Sequence, residues 1–224
     1  MFGIYASPTN TFQRLKEKPV WLLPLIIALV ANMAVTVLST QYVDWGKQHE
    51  QAIEKMQEKG MTEEQIQKAT ERMEQFSSNP FMRTGLPLIG SLITQVIVVF
   101  FLAFVYNISL PLLGVTGNFM RTLSVVTNAG LIALPAALVK AIIIIIKHSA
   151  EVSTSLLLAA PNIKTGFLAV LLGRIDIFTI WQLILVGLGL KVVFDIKGSK
   201  PYWIVFGVWA LVTVIFGLLA TLGQ

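Results

Sequence analysis

The chain has 224 residues, 55% of them hydrophobic and only 13% charged, with a mean hydropathy of +0.73; a soluble domain carries about a quarter charged residues, so an ordinary water-soluble core is excluded. The net charge of +5 sits at the ends of apolar runs rather than on a basic surface interleaved with aromatics, which excludes nucleic acid as a partner. No cysteine is present, so disulfides, thiolate metal sites and thiol catalysis are excluded as well.

Residues 1–19 read as an N-terminal interfacial segment. Ser7-Pro8 is a helix entry with proline at the first helical position. Phe12 and Leu15 are expected to face the membrane while Arg14, Lys16 and Lys18 stay wet, although a disordered tail is the alternative. Residues 20–224 form the membrane domain. Its first apolar run, Val20 to Thr40, is roughly 21 residues long, beyond the ~7–15 of a signal-peptide core, and is expected to stay as a signal anchor, the first span reaching about Gln41. Trp21 and Tyr42 mark its ends, and Pro24 lies in its first turn.

The stretch 44–78 is a different material. Counted on to Arg83 it holds eight acidic and six basic residues, and its apolar residues recur at helical spacing in two stripes. Gly60 supplies a stop between them, Thr62 and Gln65 make a capping box, and Ser77-Ser78-Asn79-Pro80 ends the second stripe. This predicts an extramembrane helical hairpin, packed on itself or laid on the membrane surface.

Four further spans are predicted: Gly85 to Leu113, Thr122 to Ile146, Ile177 to Phe194 and Tyr202 to Leu222. Between the third and fourth, the runs Leu156–Ala160 and Phe167–Leu172, separated by Pro161-Asn162, are too short to cross and read as interfacial or re-entrant pieces. The fold class is therefore an all-α polytopic membrane protein with five transmembrane helices and a hairpin between the first and second. No internal repeat is visible, which weighs against inverted-repeat transporters. Arg14, Lys16, Lys18, Arg121, Lys191, Lys197 and Lys200 fall on one side and the net-negative 44–83 loop on the other. The positive-inside rule then places the N-terminus in the cytoplasm and the C-terminus outside the cell membrane.

Catalytic patterns are absent: there is no HExxH, GxSxG, P-loop or CxxC. The two histidines, His49 and His148, have no carboxylates at ligand spacing, so neither metal nor cofactor is expected, and the chain does not read as an enzyme. Lys140 is the most informative ionisable residue. A lysine at mid-helix costs roughly 2.5–3.5 kcal/mol on insertion scales, so it snorkels, pairs, or lines a cavity. Asp176 or Glu151 is the expected partner if it pairs, and Pro135 is a place where the helical ladder breaks and water can enter. Lys140, Asn128, Asp176 and Gln182 form the candidate intramembrane polar site; Arg14, Lys16, Lys18, Lys197 and Lys200 form the interfacial basic set. Asn32, Gln95, Asn107, Asn128 and Gln182 are either interhelical glue or a polar pathway. Asp176 is expected to cap the fourth span, with an Arg174–Asp176 surface site as the alternative.

Four stretches in order resemble bacterial members of the Yip1 domain family: Ser7-Pro8-Thr9-Asn10-Thr11-Phe12 with Lys18-Pro19-Val20-Trp21-Leu22-Leu23-Pro24; Met61-Thr62-Glu63-Glu64-Gln65-Ile66; Thr154-Ser155-Leu156-Leu157-Leu158; and Arg174 to Leu183 leading to Gly187-Leu188-Gly189-Leu190. The resemblance implies a five-span α-helical fold and offers no catalytic residue to match. Eukaryotic relatives act in ER–Golgi trafficking and contact Rab-type GTPases; they have a long N-terminal cytosolic region that this sequence lacks, so that partner is not expected to carry over. Two function classes follow. One is a non-catalytic membrane organiser or adaptor binding lipids, other membrane proteins or a second copy of itself; the other is a conduit for lipid or small solutes.

Overall fold

In a computed structural model covering residues 3–160, 162–163 and 165–222, the apolar runs all become helices, the one backbone geometry that satisfies its polar groups within a single segment. Met1, Phe2, Pro161, Lys164, Gly223 and Gln224 lie outside the described residues. The order is α1 (Gly3–Ala6), α2 (Pro8–Glu17), α3 (Leu22–Gln41), α4 (Trp45–Glu58), α5 (Glu63–Ser78), α6 (Leu86–Ser109), α7 (Phe119–Ala129), α8 (Ala133–Lys147), α9 (Gly166–Arg174), α10 (Ile177–Val193) and α11 (Lys200–Leu222).

Four segments are long and apolar enough to cross a bilayer: Leu22–Gln41, Phe81–Leu113, Phe119–Lys147 and Lys200–Thr221. The chain is thus an all-α polytopic membrane protein. Two of these segments are composite, and prolines account for the joints. Pro87 cannot donate to the Arg83 carbonyl four residues back, and the turn Phe81–Gly85 widens to a π-helix in which Leu86 N–H bonds the Phe81 carbonyl instead. Pro111 likewise has no N–H for the Asn107 carbonyl, and the end of that helix tightens to a 3₁₀ turn, Leu110–Leu113. In the third segment a 3₁₀ turn at Gly130–Ile132 joins α7 to α8. The long faces of these helices carry the outward apolar residues, among them Ile93, Ile97, Phe101, Ile142, Ile146, Leu211 and Leu219, as a lipid-facing band requires.

The core is built from the middle of α7, whose residues Thr122 to Ala129 are all buried, and from the Leu183–Val193 part of α10. The N-terminal pair α1–α2 packs against both. Ile4 and Phe12 are fully buried and Leu15 nearly so, which corrects the expectation that Phe12 and Leu15 face the membrane: they face the bundle. Gly189 makes room for this. A Cβ there would lie 2.5 Å from Val125 Cγ1 and 2.8 Å from Phe12 Cε1.

Helices α4 and α5 form a hairpin in which no residue is fully buried. Asp44 caps α4 by accepting from Lys47 N–H at 3.0 Å, and Gly60 ends it in the left-handed region at φ 70°. The capping box is complete: Gln65 N–H donates to Thr62 Oγ1 and Thr62 N–H to Gln65 Oε1. Trp45 packs on Phe76 at the open end, with the Arg83 guanidinium 5.8 Å from the Trp45 ring centroid. Of the two short runs before α10, Leu156–Ala159 is a single 3₁₀ turn, and Phe167–Leu172 lies inside α9, which packs on α11 with Phe167 against Gly217.

Candidate functional site

The residues proposed to form one intramembrane polar site are not brought together. Lys140 is exposed on α8 beside the outward Leu138, Val139 and Ile142. Neither expected partner serves it. Glu151 pairs with Lys47 on the hairpin at 3.0 Å, and Asp176 is occupied by Thr154 Oγ1 and by two backbone donors, Phe178 N–H at 2.7 Å and Thr179 N–H at 3.4 Å. Asp176 is thus the N-cap of α10. Arg174 does not pair with it; its guanidinium sits 4.7 Å from the Phe216 ring centroid on α11. Gln182 is half-buried and makes no hydrogen bond among the described residues.

The other amides are used where they stand. Asn32 donates to Gln95 at 2.6 Å and accepts from Thr36, joining α3 to α6. Asn107 accepts from Thr122 at 3.2 Å, joining α6 to α7, and Gly117 passes so close that a Cβ would fall 2.8 Å from the Asn107 Oδ1. These are separate pairs at separate helix contacts, each an interhelical bond of about 0.6 kcal/mol on average.

Asn128 is the exception, being fully buried and linked across the chain. Its Nδ2 donates to the Val20 carbonyl and to Ser124 O, both at 2.8 Å. Val20 precedes α3, whose first intrahelical bond runs from Leu25 N–H to the Trp21 carbonyl, so the Val20 carbonyl has no helical donor and the Asn128 amide serves it. A second carbonyl is served at Pro135, whose missing N–H leaves the Leu131 carbonyl short of its helical donor. The Tyr5 hydroxyl fills that vacancy at 2.6 Å, and the ring packs edge-on against Trp181 at 6.3 Å. Burial raises the Tyr5 phenol above its ordinary pKa, so it remains a donor. Two carbonyls without a helical donor, Val20 and Leu131, therefore tie the N-terminal region into the third long segment. Sequence reasoning located Pro135 and Asn128 but not the carbonyls they involve; Tyr5 gave no signal at all.

Three contacts set how α1–α2 lies along α10: Tyr5 at Trp181, Phe12 at Gly189 and Lys16 at Asp195, where the ion pair is 2.5 Å long. The two elements run in the same direction, over about 18 Å of α10 from Trp181 to its end at Val193. Both partners of the Lys16–Asp195 pair are largely exposed, so it is worth at most about 1 kcal/mol. Beneath α2 and beside the start of α3 is a cavity of about 330 Å³, lined by Thr11, Arg14, Lys18, Val20, Leu23 and Asn128. A second, of about 450 Å³, is lined by Gln13, Lys16, Lys191, Asp195 and Lys197. The basic set thus gathers around α2, with Lys200 opening α11 nearby in sequence. No group of three or more metal-ligating side chains occurs among the described residues.

Comparison with known proteins finds a sequence likeness over nearly the whole chain. The membrane protein YknW of Bacillus subtilis (strain 168) is 22% identical over 223 residues, which is 98% of this chain and 90% of the relative. No solved structure matches. The model of the Yip1 domain matches residues 2–221, from the buried N-terminal helices through the last long apolar segment, and the chain belongs to that family of multi-pass, non-catalytic membrane proteins.

Proposed function

We propose that this protein is a membrane organiser or adaptor that binds lipids or other membrane proteins and forms no pathway through the bundle. The observation that carries this reading is how the intramembrane amides are used. Asn32, Gln95 and Asn107 are taken up by a neighbouring helix and Asn128 by the Val20 carbonyl, which among the described residues leaves Gln182 as a lone amide with no second free one beside it to continue a path, and Lys140 stands on the outer face. A conduit needs polar groups left free to replace the solvation of what passes.

The same reading includes five spans. The 17 residues of α10 reach about 26 Å, close to the ~30 Å hydrocarbon thickness. A tight turn at 194–199 returns the chain into α11, with Tyr202 packed on Gly187. Five crossings with the basic set on the cytoplasmic side put the Lys16–Lys18 end of α2 there, run α1 back along α10 into the bundle, and leave the α4–α5 hairpin outside, where its charged, unburied helices are available to a partner.

Reconstitution tests the function. Purified protein in liposomes is expected to show neither lipid flip nor tracer leak above empty liposomes. Flux that disappears in Lys140→Leu or Asp176→Asn would overturn the organiser reading in favour of a conduit.

A further inference from the structure

The cavity under α2 is the place where unspent charge meets an outward apolar surface. Arg14 and Lys18 line it, and neither has a carboxylate partner among the described residues, whereas their neighbour Lys16 is paired with Asp195. At its back, Asn128 uses its amide N–H groups on Val20 and Ser124, and its Oδ1 accepts no hydrogen bond among the described residues. The opposite wall is Val20 and Leu23. From Leu23 the surface continues along α3 through Leu22, Ile26 and Val30, each about half exposed, at 52%, 53%, 45% and 54% in the order Leu23, Leu22, Ile26, Val30. The volume, about 330 Å³, falls within the range of small-molecule pockets.

We infer that this cavity holds the phosphate of an anionic phospholipid, with Arg14 and Lys18 on the phosphate oxygens and the acyl chains along the outward face of α3. Charge complementarity and the attached apolar strip select this occupant together. An inorganic anion would satisfy the cations but leave the Leu23–Val30 strip unused. A zwitterionic lipid would bring its own cation up to Arg14 and Lys18. Arginine suits the phosphate because its planar fork meets two oxygens at once. The Asn128 Oδ1 is an acceptor for a headgroup hydroxyl, which makes phosphatidylglycerol the appropriate probe. This inference rests on the lipid-binding organiser reading and adds to it the lipid class and the residues.

The test is lipid titration of the purified full-length chain in neutral detergent, using tail-labelled phosphatidylglycerol and phosphatidylcholine. Each basic group near an anionic surface contributes about 1 kcal/mol, so Arg14→Gln/Lys18→Gln is expected to weaken phosphatidylglycerol binding about 30-fold. Arg14→Lys/Lys18→Arg and Lys197→Gln/Lys200→Gln are expected to retain it, and inorganic phosphate is expected not to displace it. Undiminished binding in Arg14→Gln/Lys18→Gln, an equal loss in Lys197→Gln/Lys200→Gln, or displacement by inorganic phosphate would each overturn the site. Should Arg14→Gln/Lys18→Gln fail to fold, a photo-crosslinking residue at Leu23 in an otherwise unaltered chain is expected to capture phosphatidylglycerol over phosphatidylcholine; equal capture of both overturns the proposal. Liposome flux separates the two levels. Flux defeats the organiser reading itself, whereas a flux-free protein without the Arg14/Lys18 dependence loses only this site.

Discussion

Tyr5 shows how much a single hydroxyl can decide. It is the donor for a carbonyl that Pro135 cannot serve, and an unsatisfied buried carbonyl costs about 1–3 kcal/mol. Tyr5→Phe keeps the ring contact with Trp181 and is expected to lower stability by about 1–2 kcal/mol, read as a lower midpoint in detergent unfolding; an unchanged midpoint would mean that another donor reaches Leu131. Lys140 predicts the opposite sign. Exposed on α8 with no ion pair, it only adds the roughly 2.5–3.5 kcal/mol insertion cost of a mid-helix lysine, less what snorkelling recovers. Lys140→Leu is therefore expected to improve insertion of the Phe119–Lys147 segment in a translocon assay and to leave stability equal or higher. The importance of Lys140 as an ionisable residue was legible in the sequence, but its direction was not, since whether a helix position faces protein or lipid depends on neighbours far along the chain.

At the scale of elements, caps and breaks were the most legible features. Gly60, Thr62 with Gln65, and Asp176 all act through bonds spanning a few residues, and each stands where local spacing placed it. The attitude of α2 was not legible. Its stripe of Phe12 and Leu15 opposite Arg14 and Lys18 fits a membrane surface as well as a bundle groove, and only the notch at Gly189 distinguishes the two. Gly189→Leu is expected to expel Phe12, with an overpacking cost of about 1–3 kcal/mol. In a Leu15→Cys background, clean because the chain has no native cysteine, the thiol is expected to be protected from a membrane-permeant maleimide and to become reactive when Gly189→Leu is added. Equal reactivity in both would show that α2 does not depend on that notch.

For the whole molecule, the five crossings proposed above predict a labelling pattern. Single cysteines at Ser78, at the end of α5, and at Ser199, between α10 and α11, are expected to label from opposite sides of intact cells. An impermeant maleimide should reach Ser78→Cys directly and Ser199→Cys only after permeabilisation; the reverse pattern would invert the orientation, and labelling of both would remove α10 as a crossing. The sequence by itself determined the solvent, the helical class, the long apolar segments and the family likeness, because these follow from composition and local spacing. The tertiary structure alone decided that Phe12 lies inside, that Lys140 lies outside, that Tyr5 serves the Leu131 carbonyl orphaned by Pro135, and that Asn128 serves the Val20 carbonyl ahead of α3. The physical reason is the solvent itself. Lipid tails are as apolar as leucine, so hydropathy shows that a helix lies in the membrane but not which of its faces meets protein; close packing and the need to satisfy each buried polar group make that choice.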